Sequence, residues 1–327
     1  MQHHDNMPEL ALEWHNAGRS AALATVIETW GSAPRPVGSQ LVIAGDGQMM
    51  GSVSGGCVEG AVVEEALAAL ADRKPRILSY GVSDENAFAV GLACGGTIRI
   101  LVEPVGNGGV PAEMLTRITK ARAARAALAY RVNLETWHRD LVTGAGISDG
   151  PLAARFRADQ SGVEDSTFIA IHNPPLRMMV VGAVHIAQAL LPMAAACGYD
   201  CSLIDPREAF GAAARFPGQP ISHDWPDAAL RSLTPDARTA VVTLTHDSKL
   251  DDPAILAALD TPVFYLGCLG SKRTHEKRLT RLRDAGVAEA QIARIHAPVG
   301  LAIGARSPAE IAVSILAQIT QSLRTGA

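Results

Sequence analysis

Two short segments set a cysteine beside paired glycines: Ser54-Gly55-Gly56-Cys57 and Cys94-Gly95-Gly96. A thiol at a helix N-terminus is biased toward thiolate, the nucleophilic and metal-binding form. Apolar residues at Val58, Val62, Leu67 and Leu70 predict a helix over 58–71, with Cys57 at its start. Paired glycines also let a bulky ligand approach the main chain. For each cysteine alone, the other reading is a small, buried, inert thiol. The recurrence beside Gly-Gly favours chemistry. Gly31-Ser32-Ala33-Pro34-Arg35-Pro36 is a stiff loop that displays Arg35. Its guanidinium can pair with a phosphate or carboxylate, or stand in solvent.

A second group lies in the other half of the chain. Gly182-Ala183-Val184-His185-Ile186-Ala187 follows a strand-like run, and Asp205 ends the next one. The spacing is that of a Rossmann dinucleotide fingerprint. Gly182 can make the tight turn, Ala187 suits the helix-packing position, and Asp205 stands where an acidic residue holds a ribose hydroxyl. Val184 occupies the position where glycine normally admits the pyrophosphate. The alternative is a Rossmann scaffold that does not bind a dinucleotide in the usual pose. His185 either faces a ligand or caps the helix. Further on, Gly267 to Arg273 leaves a strand and opens a helix with Gly270, Ser271, Lys272 and Arg273. Free N–H groups at a helix start attract anions, so this is a phosphate candidate. The alternative is a turn with a solvated basic face, and Cys268 fits a small buried residue equally well. Cys197 and Cys201 are close, but no second pair completes a zinc site.

These residues need elements to position them. Strands are predicted at 21–29, 39–44, 48–53, 76–79 and 97–102, with Gly45-Asp46-Gly47 as a hairpin turn. A basic helix over about 112–126 and strand-like runs at 127–137 and 167–171 follow a linker at 104–112. From Arg177, strands at 177–181, 201–204, 239–244 and 262–266 alternate with helices, which implies a parallel sheet. One helix is expected to open with Asp252 as N-cap and Pro253 at its first position. Ser307-Pro308-Ala309-Glu310 is a capping-box pattern for the last helix, about 308–323. The expected fold is α/β: an N-terminal domain carrying the Gly-Cys loops (1–105), a bridging region (106–176), and a Rossmann-like doubly wound domain (177–327).

Composition narrows the classes. The 327 residues are 48% hydrophobic and 19% charged, which suits two cores rather than disorder. Aromatics are only 4%, so aliphatic side chains must do the packing, as in helices laid on a parallel sheet. A net charge of -4 without a basic tract gives no support to nucleic-acid binding. The N-terminus shows no secretory pattern. The apolar run 178–197 contains His185, Gln188 and Pro192 and reads as a buried strand and helix, not a membrane span. Five sparse cysteines do not form a disulfide framework, which fits a reducing cytoplasm.

Together these segments resemble the XdhC/CoxI family of xanthine dehydrogenase accessory proteins. The resemblance rests on GSAPRPVGSQLVIAGDGQMMGSVSGGCVEGAVVEEA (31–66), GLACGGTIRILVEP (91–104), VVGAVHIAQAL (180–190), IDPR (204–207), VVTLTHD (241–247), YLGCLGSKRTHEKRLTRL (265–282) and PVGLAIGARSPAEIAVSILAQI (298–319). It leaves roughly 106–170 weakly matched. It implies a maturation factor that binds the molybdenum cofactor (molybdopterin or a dinucleotide form), protects it, supports its sulfuration and helps insert it into a molybdenum hydroxylase. That client would be a xanthine dehydrogenase, an aldehyde oxidoreductase or a carbon monoxide dehydrogenase-like enzyme. Cys57 or Cys94 would touch the molybdenum or its exchangeable sulfur, since thiolates suit a soft centre. A cysteine desulfurase and a second copy of the chain are the other expected partners. The family's Gly-Ala-Gly-His turn is here Gly182-Ala183-Val184-His185, a departure that bears on dinucleotide binding rather than on the accessory role. The alternative function is an NAD(P)-dependent oxidoreductase; against it stand Val184 and the lack of an evident Lys/Tyr or His/Asp catalytic set. A pure interaction scaffold is the third reading.

Overall fold

The structure, a computed structural model, describes residues 6–31, 35–81, 96–147 and 149–325. The chain divides into two compact units, 1–174 and 175–327.

The first unit runs α1 (Met7–Asn16), β1 (Ala21–Trp30), β2 (Gln40–Ala44), β3 (Met49–Gly51), α2 (Glu59–Asp72), β4 (Arg76–Tyr80), β5 (Thr97–Pro104), α3 (Ala112–Ala123), β6 (Leu128–Asn133), β7 (Arg139–Thr143), α4 (Gly150–Ala158), β8 (Gly162–Glu164) and β9 (Thr167–His172). Its five-stranded antiparallel sheet has the order β3-β2-β1-β5-β4. Strand alternation explains the apolar run of β1, because both of its faces are covered. Ala22, Ala24 and Val26 pack with Val62, Ala66 and Ala69 of α2. Ala21, Leu23 and Ile27 face α1, α3 and the second antiparallel sheet, β7-β6-β9-β8. Residues 106–174 therefore belong to the same unit as the Cys57 loop. Buried Glu103 of β5 links the two sheets: Tyr130 Oη donates to it at 2.9 Å and Arg139 Nε at 2.8 Å. The carboxyl's burial raises its pKa, although Arg139 and Tyr130 oppose that.

The second unit runs β10 (Arg177–Val181), α5 (His185–Ala196), β11 (Asp200–Ile204), β12 (Ile221–Ser222), α6 (Pro226–Leu233), β13 (Thr239–Thr243), α7 (Ser248–Leu259), β14 (Tyr265–Cys268), α8 (Lys272–Asp284), α9 (Glu289–Ile292), β15 (Ile295–His296) and α10 (Pro308–Thr325). Its six strands are parallel, in the order β12-β11-β10-β13-β14-β15. Met178 and Val180 pack with α5 and α10, while Met179 and Val181 pack with α6 and α7. This is the doubly wound arrangement, and the apolar run at 178–197 is β10 plus α5. No described helix is long and apolar enough to cross a membrane.

The strand-like run at 127–137 forms β6 only as far as Asn133, and two details of the second unit also differ from the sequence reading. Helix α7 begins at Ser248, because Asp247 is the N-cap and accepts from the Lys249 amide at 2.9 Å. Asp252 instead pairs with Arg281 of α8, and Pro253 lies inside the helix. Strand β14 spans Tyr265–Cys268 rather than 262–266, so Gly267 and Cys268 are strand residues. A side chain at Gly267 would collide with Val299 and Tyr265, which keeps this position small. The capping box of α10 forms as expected, with Ser307 Oγ accepting from the Glu310 amide at 3.2 Å and Glu310 accepting from the Ser307 amide at 3.0 Å.

Candidate functional site

Cys57 sits two residues ahead of α2, half-buried, on the loop that leaves β3. The shape of this loop is set by Glu59, the first residue of α2. Glu59 Oε1 accepts from Ser52 Oγ (2.7 Å) and from the amides of Val53 (3.2 Å) and Ser54 (2.9 Å). Its Oε2 accepts from the Gly56 amide (2.9 Å) and from Ser54 Oγ. Burial alone would raise this carboxyl, but the hydroxyls of Ser54 and Ser52 and the Ser54 amide outweigh it and bring the pKa to about 2. The carboxylate is thus an internal anion, held in a nest of the loop's own donors.

That arrangement decides what the loop can offer. The Gly55 amide is spent on Ser52 Oγ and the Val58 amide on Ser54 Oγ. With Val53, Ser54 and Gly56 spent on Glu59, few backbone donors remain for a phosphate. What remains is space and sulfur. Gly56 has φ +112, and a side chain there would meet nothing within 4 Å. Gly55 and Gly56 are exposed beside the Cys57 thiol. Cys94 and Gly95 lie outside the described residues, while Gly96 is buried just before β5. Arg35 is half-buried, and its Nε is buried with no hydrogen-bond partner among the described residues.

In the second unit, Gly182 makes the tight turn after β10, with φ +114 and Thr245 within 2.9 Å of where a Cβ would be. Val184 is the N-cap of α5 in extended backbone and packs against the core. His185, the first residue of α5, is exposed, and α5 has no side-chain cap. Asp205 is fully buried and fully engaged. Its Oδ2 accepts from the Ala183 amide and from Arg207 Nη2, both at 2.8 Å. Its Oδ1 accepts from Arg207 Nε at 2.9 Å and from the Arg207 amide at 3.0 Å. Burial works against the charge, but Arg207 and the Ala183 amide hold the carboxyl below its ordinary value. A ribose diol at Asp205 would have to displace Arg207, and a pyrophosphate would have to compete for the Ala183 amide. Arg215 closes the turn further by donating to the Ala183 carbonyl at 3.0 Å.

At the start of α8, Ser271 is the N-cap, its hydroxyl accepting from the Thr274 amide at 3.1 Å. Lys272 and Arg273 are exposed, and Gly270 takes φ +140 against Thr274. Cys268 is buried, and its surroundings push the thiol up to about 11 through burial. Cys57, Cys197, Cys201 and Cys268 are free thiols, and no group of three or more metal-ligating side chains occurs among the described residues.

Sequence reasoning missed Glu59 as the organiser of the loop and Arg207 as the partner of Asp205. Glu59 reads as one of several helix carboxylates; its signal was the pair of serines five and seven residues earlier. Arg207 stood beside Asp205 in the IDPR segment, and an acid two residues before an arginine at a strand end was that signal.

Comparison with known proteins decides the relationship. Residues 14–81 match the XdhC and CoxI family and residues 178–319 match the XdhC Rossmann domain. The chain is 33% identical over 320 residues to the molybdenum cofactor insertion chaperone PaoD of Escherichia coli (strain K12), spanning 97% of this chain and 87% of PaoD. The chain belongs to the XdhC/CoxI family. This XdhC/CoxI protein is also 26% identical over 319 residues to a probable xanthine dehydrogenase subunit of Bacillus subtilis (strain 168), spanning 92% of this chain and 93% of that one. A crystal structure of a Bacillus halodurans xanthine dehydrogenase superposes with a TM-score of 0.73 at 26% identity, over 97% of this chain and 96% of that one. The XdhC/CoxI segments fall on the elements described above: the first on β1 to β4 with the Cys57 loop, the second on the parallel sheet.

Proposed function

We propose that this protein is a molybdenum cofactor chaperone that shelters the cofactor and aids its insertion into a molybdenum hydroxylase. The observation that carries the reading is kinship with an insertion chaperone across 97% of the chain. The Cys57 loop fits such a cargo. A half-exposed thiol beside open glycine space suits a soft metal centre or its exchangeable sulfur. The loop's spent amides leave anion binding in that unit to side chains, with Arg35 as the candidate; in the second unit Lys272 and Arg273 are candidates of their own. Cys94, Gly95, Gly96, Gly182, His185, Gly270 and Ser271 complete the proposed cofactor-binding set. The cargo is molybdopterin or its dinucleotide form. A cysteine desulfurase would supply the sulfur, and the chaperone would act in the cytoplasm as an oligomer of identical chains.

One observation favours a second reading, an NAD(P)-dependent oxidoreductase. The sheet order reverses between β10 and β13, where Rossmann domains bind dinucleotides. The engagement of Asp205 by Arg207 and Ala183 weighs against it.

The test is reconstitution. An apo molybdenum hydroxylase is mixed with cofactor, with and without this protein, under thiol-free anaerobic conditions. The chaperone reading predicts more active enzyme when the protein is present than with free cofactor alone. Equal yields would sink it.

A further inference from the structure

A strongly charged concavity lies between the helices that follow β13 and β14, next to Thr245, which packs on the Gly182 turn. It is a cleft of about 380 Å³. Arg273, Lys277 and Arg278 line it from α8, and His246, Ser248 and Asp251 line it from the α7 side. It opens at the carboxyl ends of two adjacent parallel strands, where open α/β sheets bind ligands.

The decisive residue is Arg278. It is only 2% exposed, and its guanidinium is permanently charged. One nitrogen, Nη2, donates to the Leu269 carbonyl at 2.9 Å. Its nearest carboxylate oxygen, Asp251 Oδ2, stands 4.0 Å away, beyond hydrogen-bond reach, and Asp251 Oδ1 accepts from Thr245 Oγ1 at 2.6 Å. The remaining donors of Arg278, Nε and Nη1, are buried without a partner among the described residues. A buried cation in this state is costly unless an anion meets it.

Helix α8 adds an independent sign. Arg273, Lys277 and Arg281 recur at intervals of four, so like charges stack along one face. Arg273 also lies in the first turn, where the helix dipole disfavours a cation. Asp252 relieves only Arg281. The three other cations, offset by the one carboxylate of Asp251, leave two positive charges facing the cleft. Such local conflicts between sequence and helix are expected where a site has been built.

We infer that this cleft binds the phosphate dianion of a phosphomonoester, with Arg278 as the buried anchor and Arg273 and Lys277 as the outer clamp. The dianion matches the excess charge, and the volume exceeds what inorganic phosphate alone fills. Ser248 and Asp251 are placed to meet a hydroxyl on the organic part. The site shares Arg273 with the cofactor reading, but its anchor Arg278 does not belong to that reading, and neither Ser271 nor Lys272 is needed for it.

The test is calorimetry on the full chain at constant ionic strength, with cytidine monophosphate, inorganic phosphate and acetate as probes, followed by Arg Nε–H chemical shifts in NMR. Binding of the monophosphate at least tenfold tighter than inorganic phosphate, no binding of acetate, and a shifted Arg278 Nε–H resonance are expected. The exposed double variant Arg273→Ser/Lys277→Ser should fold normally and lose at least tenfold in affinity. Arg278→Met should abolish binding. Should Arg278→Met fail to fold, the exposed double variant still decides. Equal affinity for monophosphate and inorganic phosphate, or unchanged affinity in the double variant, would overturn the assignment.

Discussion

Glu59 grips Ser54 twice, accepting its backbone amide at 2.9 Å with one carboxylate oxygen and its hydroxyl with the other. This pair turns the residues ahead of α2 into a fixed loop and presents Cys57 at its end. Glu59→Ala would leave three amides and two hydroxyls without their acceptor. Each buried donor left unsatisfied costs about 1–3 kcal/mol, so a loss of roughly 3 kcal/mol or more is expected in chemical denaturation. Alkylation of Cys57, followed by mass spectrometry, should quicken at the same time. Unchanged stability and an unchanged rate at Cys57 would show that the loop holds its shape without Glu59.

The same carboxylate links stability to acid. Its folded pKa of about 2 lies below the ordinary 4.5, so its contribution is complete above about 4.5 and is lost as pH falls through about 2. His172, buried in β9, acts in the same direction at higher pH. Burial first, and Arg122 second, lower its pKa from 6.5 to about 3, so the fold favours the neutral ring. Its contribution is complete above 6.5 and is lost as pH falls toward 3. Between pH 6 and 5 the unfolding free energy of the wild type should therefore fall more steeply than that of His172→Gln, by up to about 1.4 kcal/mol per pH unit. Glu59→Gln should remove slope only below about pH 4.5. Parallel pH profiles for wild type and variants would contradict both assignments.

The Rossmann turn yields a prediction that separates sequence from structure. From the sequence, Val184 is the obstacle to a dinucleotide, so Val184→Gly should restore binding. In the structure, Asp205 is already satisfied by Ala183 and Arg207, so removing one isopropyl group leaves the ribose and pyrophosphate positions occupied. Titration of wild type and Val184→Gly with NAD, which carries no phosphomonoester, should give no binding tighter than millimolar in either. Micromolar affinity in the glycine variant would return the turn to the dinucleotide-binding class.

The elements themselves were largely legible. The apolar, β-branched run of β1, and the strand–helix alternation after Arg177, are local signals that tertiary packing reinforces. The antiparallel sheet of β6 to β9 was harder, because β7 and β8 are half-buried strands with little apolar contrast. The start of α7 was misplaced because Asp252-Pro253 imitates a helix opening, while the true cap, Asp247, lay in what reads as a loop. At the site, residue types were visible but their engagements were not. The serines ahead of Glu59 hint at a capped loop, but the number of amides that Glu59 consumes shows only in the fold. Nothing local reveals that Arg278, one basic residue among several on α8, is buried with unspent donors.

The role given to Cys57 predicts that Cys57→Ala lowers cofactor retention at least tenfold without changing the thermal midpoint, since the side chain is half-exposed and the loop is held by Glu59. Retention is read after gel filtration, as pterin per chain. Full retention in the variant would remove Cys57 from the site.

The most direct measurement is the pterin content of the wild-type protein purified anaerobically from a host that makes molybdenum cofactor, after oxidation to the fluorescent pterin derivative. The chaperone account predicts pterin in near-stoichiometric amounts, absent from the same protein made in a cofactor-deficient host. Equal, background fluorescence from both preparations would contradict it.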